Sequence, residues 1–349
     1  MTLFSAQGAH SSLGRGALAD VLALFGILAD DTAGEISGSG ARAAAVALAI
    51  AQFDEIDDHS AHALYWAMLL RNAGAFGNAA LQKSNPLPER GAMMARWDIP
   101  AAGARVCERI GALPNGTADI VRWQAEAWDG TGFPDQLRWN AIPKPAQFAA
   151  PANAFVRFSG EPEEALAAIV AESGKTFSPD ATRAFVMWFH RSGGEIDPVD
   201  APPGSLETGR TAERDLIELI ADRIDEHNGT PHRWRRISRR AAGIASALGF
   251  DERSTRMLAL ASALFGSGEL HAAAAEEHHF DPLARLGIAS RAKNASASAA
   301  LVGRCALVAE LAPVLAARSE WYDGTGKPGG LRGDDIPPGA RVLAACIAY

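Results

Sequence analysis

Apolar residues recur along the chain at intervals of three and four positions, the spacing that places them on one face of an α-helix. One series follows Thr211, with Glu213 near the positive end of the predicted helix and Asn228-Gly229 at its end. Its apolar residues are Leu216, Ile217, Ile220 and Ile224. A second series, closed by Gly249, consists of Ile237, Ala241, Ile244 and Leu248. The sequence has no sustained two-residue alternation, so the pattern predicts an all-α protein.

Another helix is predicted from its end signals. Ser178 is a typical N-cap, Pro179 suits the first helical position, and Asp180 places an acid in the first turn. The run from Ala181 to His190 follows, and Gly193-Gly194 should end it.

A nine-residue segment occurs twice. Residues 126–134 read Glu-Ala-Trp-Asp-Gly-Thr-Gly-Phe-Pro, and residues 320–328 read Glu-Trp-Tyr-Asp-Gly-Thr-Gly-Lys-Pro, 194 positions later. Ile142-Pro143 returns as Ile336-Pro337 with the same offset. A period of this length predicts two related domains.

Glycine and proline are concentrated between residues 192 and 210, where few residues are apolar. This composition is typical of a linker. We therefore predict a first domain over residues 1–191, a linker over residues 192–210 and a second domain over residues 211–349. Tyr349 corresponds to Phe155 of the first copy, which then runs on through further predicted helices. We expect the second copy to end early.

Composition narrows the class of protein. Hydrophobic residues make up 48% of the chain and aromatic residues 7%, which suits alanine-rich helical cores. The net charge of −8 argues against nucleic-acid binding as the main role, because phosphate neutralisation needs a basic surface. Three scattered cysteines (Cys107, Cys305 and Cys346), no basic residue before Arg15 and apolar runs far below ~20 residues predict a cytoplasmic protein outside the membrane.

The repeated Asp-Gly-Thr-Gly tetrapeptide by itself predicts only a turn, since aspartate accepts backbone N–H groups and glycine allows positive φ. Here it is followed by proline, by Leu137 or Leu331, by Ile-Pro and by an alanine-rich helix. In this context the sequence resembles the HD-GYP branch of the HD-domain metal-dependent phosphohydrolases. The resemblance extends over nearly the whole chain, once in each copy. The chain is also similar to a bacterial subgroup with two tandem HD units.

The resemblance implies two helical bundles, two or three metal ions, and hydrolysis of a phosphodiester, usually in cyclic di-GMP. In such proteins His and Asp side chains hold Fe, Mn or similar ions. The ions lower the pKa of a bound water and hold the phosphate oxygens.

At the positions that correspond to the family's ligands, this chain carries other residues. In the first copy they are Ser39, Arg71, Asn72, Ile99, Gln124, Ala125 and Asn153. In the second copy they are Phe265, Gly266, Lys293, Asn294, Arg318, Ser319 and Ile347, with His232 as the candidate for the early histidine. Arg71 would put a positive charge where a cation should bind, and Phe265 and Ile347 have no donor atom. We therefore predict no catalytic residues, no bound metal and no cofactor in either copy.

The rest of the motif is retained in both copies. The retained residues are Glu126, Asp129, Gly130, Gly132, Pro134, Glu320, Asp323, Gly324, Gly326 and Pro328. They predict that the loops keep their shape.

One basic cluster stands out in this acidic chain. Its members are His232, Arg233, Arg235, Arg236, Arg239 and Arg240, which surround Trp234. The cluster suits either the polar face of a helix or a site for an anion such as a nucleotide phosphate. Lys83 matches a family lysine near the substrate phosphate and could assist binding.

Three further groups have a plain and a functional interpretation. Glu276-Glu277-His278-His279 with Asp281 suits a solvated polar stretch or a metal site, and adjacent histidines on a helix share an ion poorly. His59 and His62 are three positions apart, and we place them on the surface in a turn before the helix Ala63–Leu70. The aromatic residues Trp123, Trp128, Trp321 and Tyr322 suit core anchors or stacking on a base.

Three functions compete. In the first, the chain is an inactive signalling protein that binds a ligand or a partner protein, with a homodimer possible. Alternatively it is a phosphohydrolase with a rearranged site that uses Glu126 or Glu320. The third function is nucleotide binding without hydrolysis, through Lys83 or the basic cluster.

Overall fold

The computed structural model describes residues 15–54, 56–76, 89–199, 206, 210–268, 288–303 and 308–348. Within these ranges the fold is all-α, as predicted, and no strand occurs there apart from an isolated bridge between Ser173 and Phe177. Fourteen helices are found in the described ranges. They are α1 (Arg15–Thr32), α2 (Ser39–Ala51), α3 (Asp58–Leu69), α4 (Glu89–Glu108), α5 (Thr117–Trp123), α6 (Lys144–Arg157), α7 (Pro162–Ala171), α8 (Pro179–Ser192), α9 (Arg210–His227), α10 (Arg233–Ala247), α11 (Glu252–Leu264), α12 (Ile288–Gly303), α13 (Ala312–Ala316) and α14 (Pro338–Ala348).

The helices begin and end where local chemistry favours it. The Ser178 hydroxyl accepts the N–H of Ala181 at 3.1 Å, which confirms the predicted N-cap of α8, and Gly193 ends that helix with φ of 65°. Asp57 and Asp251 cap α3 and α11 in the same way, each accepting an N–H three residues on.

The chain forms two compact units, residues 25–208 and residues 209–349, the second grouped with the start of α1. In the first unit α2 packs against α3, α6 and α8, and the most deeply buried side chains include Phe25, Leu64 and Met68. In the second unit α10 packs against α11 and α14. No helix among the described residues is long and apolar enough to cross a membrane.

The helices that follow the first repeat have an aromatic core. Phe155 of α6 makes edge-on contacts with Phe185, Trp188 and Phe189 of α8, at ring-centroid distances of 5.2 to 6.2 Å. Such contacts are worth ~1 kcal/mol each beyond simple burial. They hold α8 against α6 within the first unit, and with α8 the turn that precedes it.

Two predictions about helix faces are wrong. In α10, Ile237 and Ala241 are buried, but Ile244 and Leu248 are 37% and 56% exposed because the buried face continues through Ala245, which turns these two side chains toward solvent. His62 does not lie on the surface: α3 begins at Asp58, so His62 is one turn inside it and is buried. Its Nε2 accepts the indole N–H of Trp66 at 2.9 Å, and burial lowers its pKa. His59 is exposed.

Candidate functional site

The two motif loops, residues 126–139 and residues 320–333, have the same internal geometry. Glu126 accepts the backbone N–H groups of Asp135 and Leu137 at 2.6 and 3.0 Å. Glu320 likewise accepts those of Gly329 and Leu331, at 2.5 and 3.1 Å. Each carboxylate is buried and ties the far side of its loop to its near side. The retained glutamates therefore support the backbone, with both oxygens occupied.

The retained aspartates and glycines form the turn itself. Asp129 Oδ1 accepts both the N–H and the hydroxyl of Thr131, at 2.9 and 2.6 Å, which lowers the pKa of its carboxyl group. Asp323 and Thr325 repeat the same two distances. Gly130 and Gly324, the second motif residues, have φ of 83° and 85°.

The last motif glycine is required for close approach. A Cβ added at Gly132 would lie 2.0 Å from the backbone nitrogen of Ala127, and one at Gly326 would lie 2.1 Å from that of Trp321. The peptide bonds before Pro134 and Pro328 are both cis.

In the first copy, the residues at the predicted ligand positions do come together. The Asn153 amide donates to Gln124 Oε1 at 2.9 Å, and the Gln124 amide donates to the carbonyl of Arg71, also at 2.9 Å. Arg71 Nη2 donates to the Ser39 hydroxyl at 2.8 Å. Asn72, which follows Arg71, is 2% exposed. Ser39, Arg71, Gln124 and Asn153 are therefore joined by one chain of hydrogen bonds.

The centre of this site is the buried guanidinium of Arg71. Arg71 Nη1 lies 3.3 Å from Asp30 Oδ1, and Nη2 forms a short ion pair with Glu35. Arg71 is 1% exposed, so its charge is held by these two carboxylates and not by water. Arg157 donates to the other oxygen of Glu35 at 2.7 Å.

Burial and ion pairing act differently on the two carboxylates. Burial raises the pKa of Asp30 from 3.8 to about 6, although Arg71 and the donors Gly40 N–H and Asn72 amide oppose the shift. Burial alone would also raise the pKa of Glu35, but Arg71 and Arg157 together lower it. Asp30, Glu35 and Arg157 were not predicted as site residues. The available signal was the pair of acids, Asp30-Asp31, that interrupts an apolar helix.

In the second copy the equivalent positions do not form a polar site. Phe265 is buried, and the guanidinium of Arg233 lies over its ring, 4.9 Å from the centroid. A Cβ at Gly266 would lie 2.8 Å from Ile224 Cγ2, so the position has no room for a ligand side chain. Arg318 is buried and donates to the carbonyl of Leu315 at 3.0 Å, and Ile347 is half-buried.

The assignment of His232 to the early histidine is wrong. His232 precedes α10 with φ of 59°, as Gly38 precedes α2 with φ of 80°, so Arg233 is the counterpart of Ser39. The loop before the helix is one residue shorter in the second copy. There Asp225 caps Trp234 N–H, nine positions on, whereas Asp30 caps Gly40 N–H, ten positions on.

Neither site fits a metal ion. The first copy puts a cation, Arg71, and neutral amides where the family has His and Asp, and the second puts a benzyl ring and a glycine there. Elsewhere in the described ranges, no group of three or more His, Cys, Asp or Glu residues could hold a metal ion. Lys83 and the cluster Glu276–His279 with Asp281 lie outside the described residues, so those predictions stay predictions.

The basic cluster is a helix face and not a pocket. Arg235 pairs with Asp222 and Glu218 at 3.0 and 3.4 Å and packs on Trp234. Arg236 and Arg240 are exposed and four positions apart, which places them on one side of α10, and His232, which precedes the helix, is exposed too. An anion site on this side remains a prediction.

The aromatic residues near the two motifs differ in burial between the first copy and the second. Trp123 is half-buried, its indole N–H donating to Asp135 at 2.7 Å, and Trp128 is half-buried too. Trp321 and Tyr322 are 54% and 64% exposed, so their interpretation as core anchors is wrong.

Comparison with known proteins agrees with the fold. A sequence profile of the HD domain matches residues 24–181 and again residues 214–349. A solved structure of a cyclic GMP-AMP specific phosphodiesterase from V. cholerae is similar, with a TM-score of 0.64 and 17% sequence identity. The similarity covers 95% of this chain and 98% of that chain. A search of curated proteins found no match.

Proposed function

Because the chain belongs to the HD-domain family, with two copies of the domain in tandem, we propose that it is a signalling protein that acts by binding a ligand or a partner and has lost phosphodiester hydrolysis. The observation that carries this proposal is the Arg71 cluster. A guanidinium, held by Asp30 and Glu35, stands among the positions at which the family binds metal. A cation at that point repels a divalent ion, and it forms ion pairs with the nearby carboxylates.

The loss extends to both copies. Without a metal ion the family's mechanism has no agent to lower the pKa of the attacking water. In the second copy Phe265 and Gly266 provide neither a ligand nor space for one. Hydrolysis by this route would therefore need several simultaneous side-chain replacements in either unit.

A rearranged hydrolase that uses Glu126 or Glu320 is less well supported. A general base needs a free oxygen within reach of the water that it activates. Both oxygens of each glutamate accept loop N–H groups, and neither side chain is exposed. This alternative predicts that Glu126→Gln with Glu320→Gln abolishes turnover.

The test combines metal analysis with a hydrolysis assay. The full chain is purified after growth with Fe and Mn, its metal content is measured, and it is incubated with cyclic GMP-AMP and with cyclic di-GMP. We expect less than stoichiometric metal and no linear product, while an active HD-domain phosphodiesterase processed in parallel gives both. Stoichiometric metal together with hydrolysis would refute the proposal.

The exposed side of α10 favours one form of this proposal, in which the chain binds a nucleotide without hydrolysing it. Arg236 and Arg240 put two positive charges on this side, with His232 just before the helix, and arginine side chains suit phosphate oxygens. Calorimetry with the same two cyclic dinucleotides should give a binding signal that Arg236→Ala with Arg240→Ala removes. If no signal is seen at high micromolar ligand, the binding role that we propose is left with a protein partner.

A further inference from the structure

The outer edge of the first motif loop is covered by another part of the same unit. The backbone N–H groups of Trp128 and Asp129 donate to the carbonyls of Thr176 and Lys175, at 3.1 and 2.9 Å. Those two carbonyls lie in the turn between α7 and α8. Phe177, the next residue, is 7% exposed. The turn therefore provides two consecutive acceptors followed by a buried aromatic ring.

The second motif loop presents the same edge without a cover. Within the described part of the chain, the N–H groups of Tyr322 and Asp323 donate to no backbone carbonyl. Trp321 and Tyr322 are 54% and 64% exposed. They line a surface pocket together with Asp323, Arg332 and Gly333.

The edge is already in the conformation that the first copy uses. Gly333 N–H donates to the Tyr322 carbonyl at 3.0 Å, as Trp139 N–H donates to the Trp128 carbonyl at 3.0 Å. The carboxylate of Glu320 supports the loop from behind. A partner would therefore meet two donors that are already oriented, which reduces the entropy lost on binding.

The pocket beside the edge includes a position at which the two copies differ in side-chain size. The first copy has Trp139 at φ of 51°, and the second copy has Gly333 at φ of 57° in the same place. A Cβ on Gly333 would be 4.0 Å from the Tyr322 ring. The missing indole leaves room between Tyr322 and Arg332 for a side chain that comes from outside.

We propose that the edge formed by residues 321–323 is a docking site for a separate partner protein. The partner contributes a turn with two consecutive carbonyl groups, which accept from Tyr322 and Asp323. The residue after them is aromatic or aliphatic and packs on Trp321 and Tyr322. The inference rests on the proposed function, since it names a surface through which a binding role operates, and the template for the partner is the turn Lys175–Phe177.

The test uses the full chain and a defined probe. The probe is a cyclised peptide with the sequence of residues 172–178, Glu-Ser-Gly-Lys-Thr-Phe-Ser. Amide hydrogen exchange is measured residue by residue with and without the peptide. We expect exchange at Tyr322 and Asp323 to slow by at least about tenfold when the peptide is bound, while Trp128 and Asp129 are protected in both samples.

Matched variants separate the edge from other surfaces. Trp321→Ala should weaken peptide binding at least about tenfold, whereas Trp139→Ala, in the same region of the first loop, should not change it. A peptide that carries alanine in place of Phe177 should also bind at least about tenfold more weakly. The proposal would be overturned if Trp321→Ala and the alanine peptide each bound as tightly as the unchanged chain binds the unchanged peptide.

The remaining outcomes are also decisive. Protection of Tyr322 and Asp323 in the dilute, peptide-free chain would mean that the chain covers its own edge. Protection that rises with protein concentration would mean that a second copy occupies it. Either result overturns the separate partner, as does unchanged exchange with the peptide. Metal content and hydrolysis report on the proposed function alone, so failure of one idea is distinguishable from failure of the other.

Discussion

Arg71 Nη2 donates to the hydroxyl of Ser39 at 2.8 Å, and both residues occupy positions where the HD-domain resemblance expects metal-binding histidines. The two positions still meet, here through a hydrogen bond. The bundle has kept the convergence of its helices while the chemistry at the point of convergence has changed.

Arg71 should be essential for the stability of the first unit. Arg71→Ala leaves Asp30 and Glu35 buried without their cation, which we expect to lower the free energy of unfolding by about 3–5 kcal/mol. Urea denaturation followed by circular dichroism measures the change. Arg183→Ala is the control, because its exposed pair with Asp180 should contribute only about 0–1 kcal/mol. A loss for Arg71→Ala no larger than that of the control would contradict the assigned role.

Asp30 should make stability depend on pH. Its pKa is raised from 3.8 to about 6, so between these values the folded chain binds more protons than the unfolded chain. Stability from this group is therefore full below about pH 4, falls as the pH rises from about 4 to about 6, and is lost above that, by up to about 3 kcal/mol in all. Glu35, whose pKa is lowered, acts in the opposite direction.

The comparison of the wild type with Asp30→Asn isolates the Asp30 contribution. Denaturation from about pH 4 to pH 7 should show the wild type losing stability relative to the variant as pH rises. Asp180→Asn, at an exposed position, serves as the control and should follow the wild type. A difference that is constant with pH would show that Asp30 titrates normally.

The glutamates of the motif loops should act as backbone supports. Glu126→Gln and Glu320→Gln each replace one accepting oxygen by an N–H₂ group, and we expect each to cost about 1–3 kcal/mol. Hydrogen exchange should become faster at Asp135 and Leu137 in the first variant. In the second, it should become faster at Gly329 and Leu331. Glu163→Gln, on the exposed side of α7, should change neither.

The last glycine of each motif should tolerate no side chain. In Gly132→Ala and Gly326→Ala the new Cβ would overlap backbone atoms at 2.0 and 2.1 Å, and relief requires the loop to open. We expect a loss above about 3 kcal/mol or no soluble protein. The matched change Gly243→Ala, in the open middle of α10, should instead raise stability by up to about 1 kcal/mol. Thermal melts of the three variants provide the comparison.

The sequence predicted local structure well where one segment determines it. The N-cap Ser178 and the turn at Asp129 depend on neighbours within three residues, and both are found as expected. The predicted membership of the HD-domain family is also confirmed. The motif spacing correctly brought Gln124 and Asn153 into one site, because the spacing encodes the order of the helices.

What the sequence did not predict depends on packing between distant segments. Glu35 precedes Arg71 by 36 residues, and no local pattern indicates that they form a pair. The burial of His62 and the exposure of Leu248 likewise depend on which neighbouring element reaches them. His232 was misassigned because it is a histidine beside the expected position, whereas the offset of 194 residues places Arg233 opposite Ser39, as the structure does.

The hydrogen bonds of Glu126 and Glu320 affect how such motifs should be used to assign activity in other chains. A profile that scores the glutamate, the glycines and the proline measures whether a loop can fold, since the two glutamates accept backbone N–H groups of their own loops. Two chains can therefore match the motif equally and differ completely in turnover. A diagnostic for catalysis in this family has to weigh the histidines and aspartates separately from the loop that presents them.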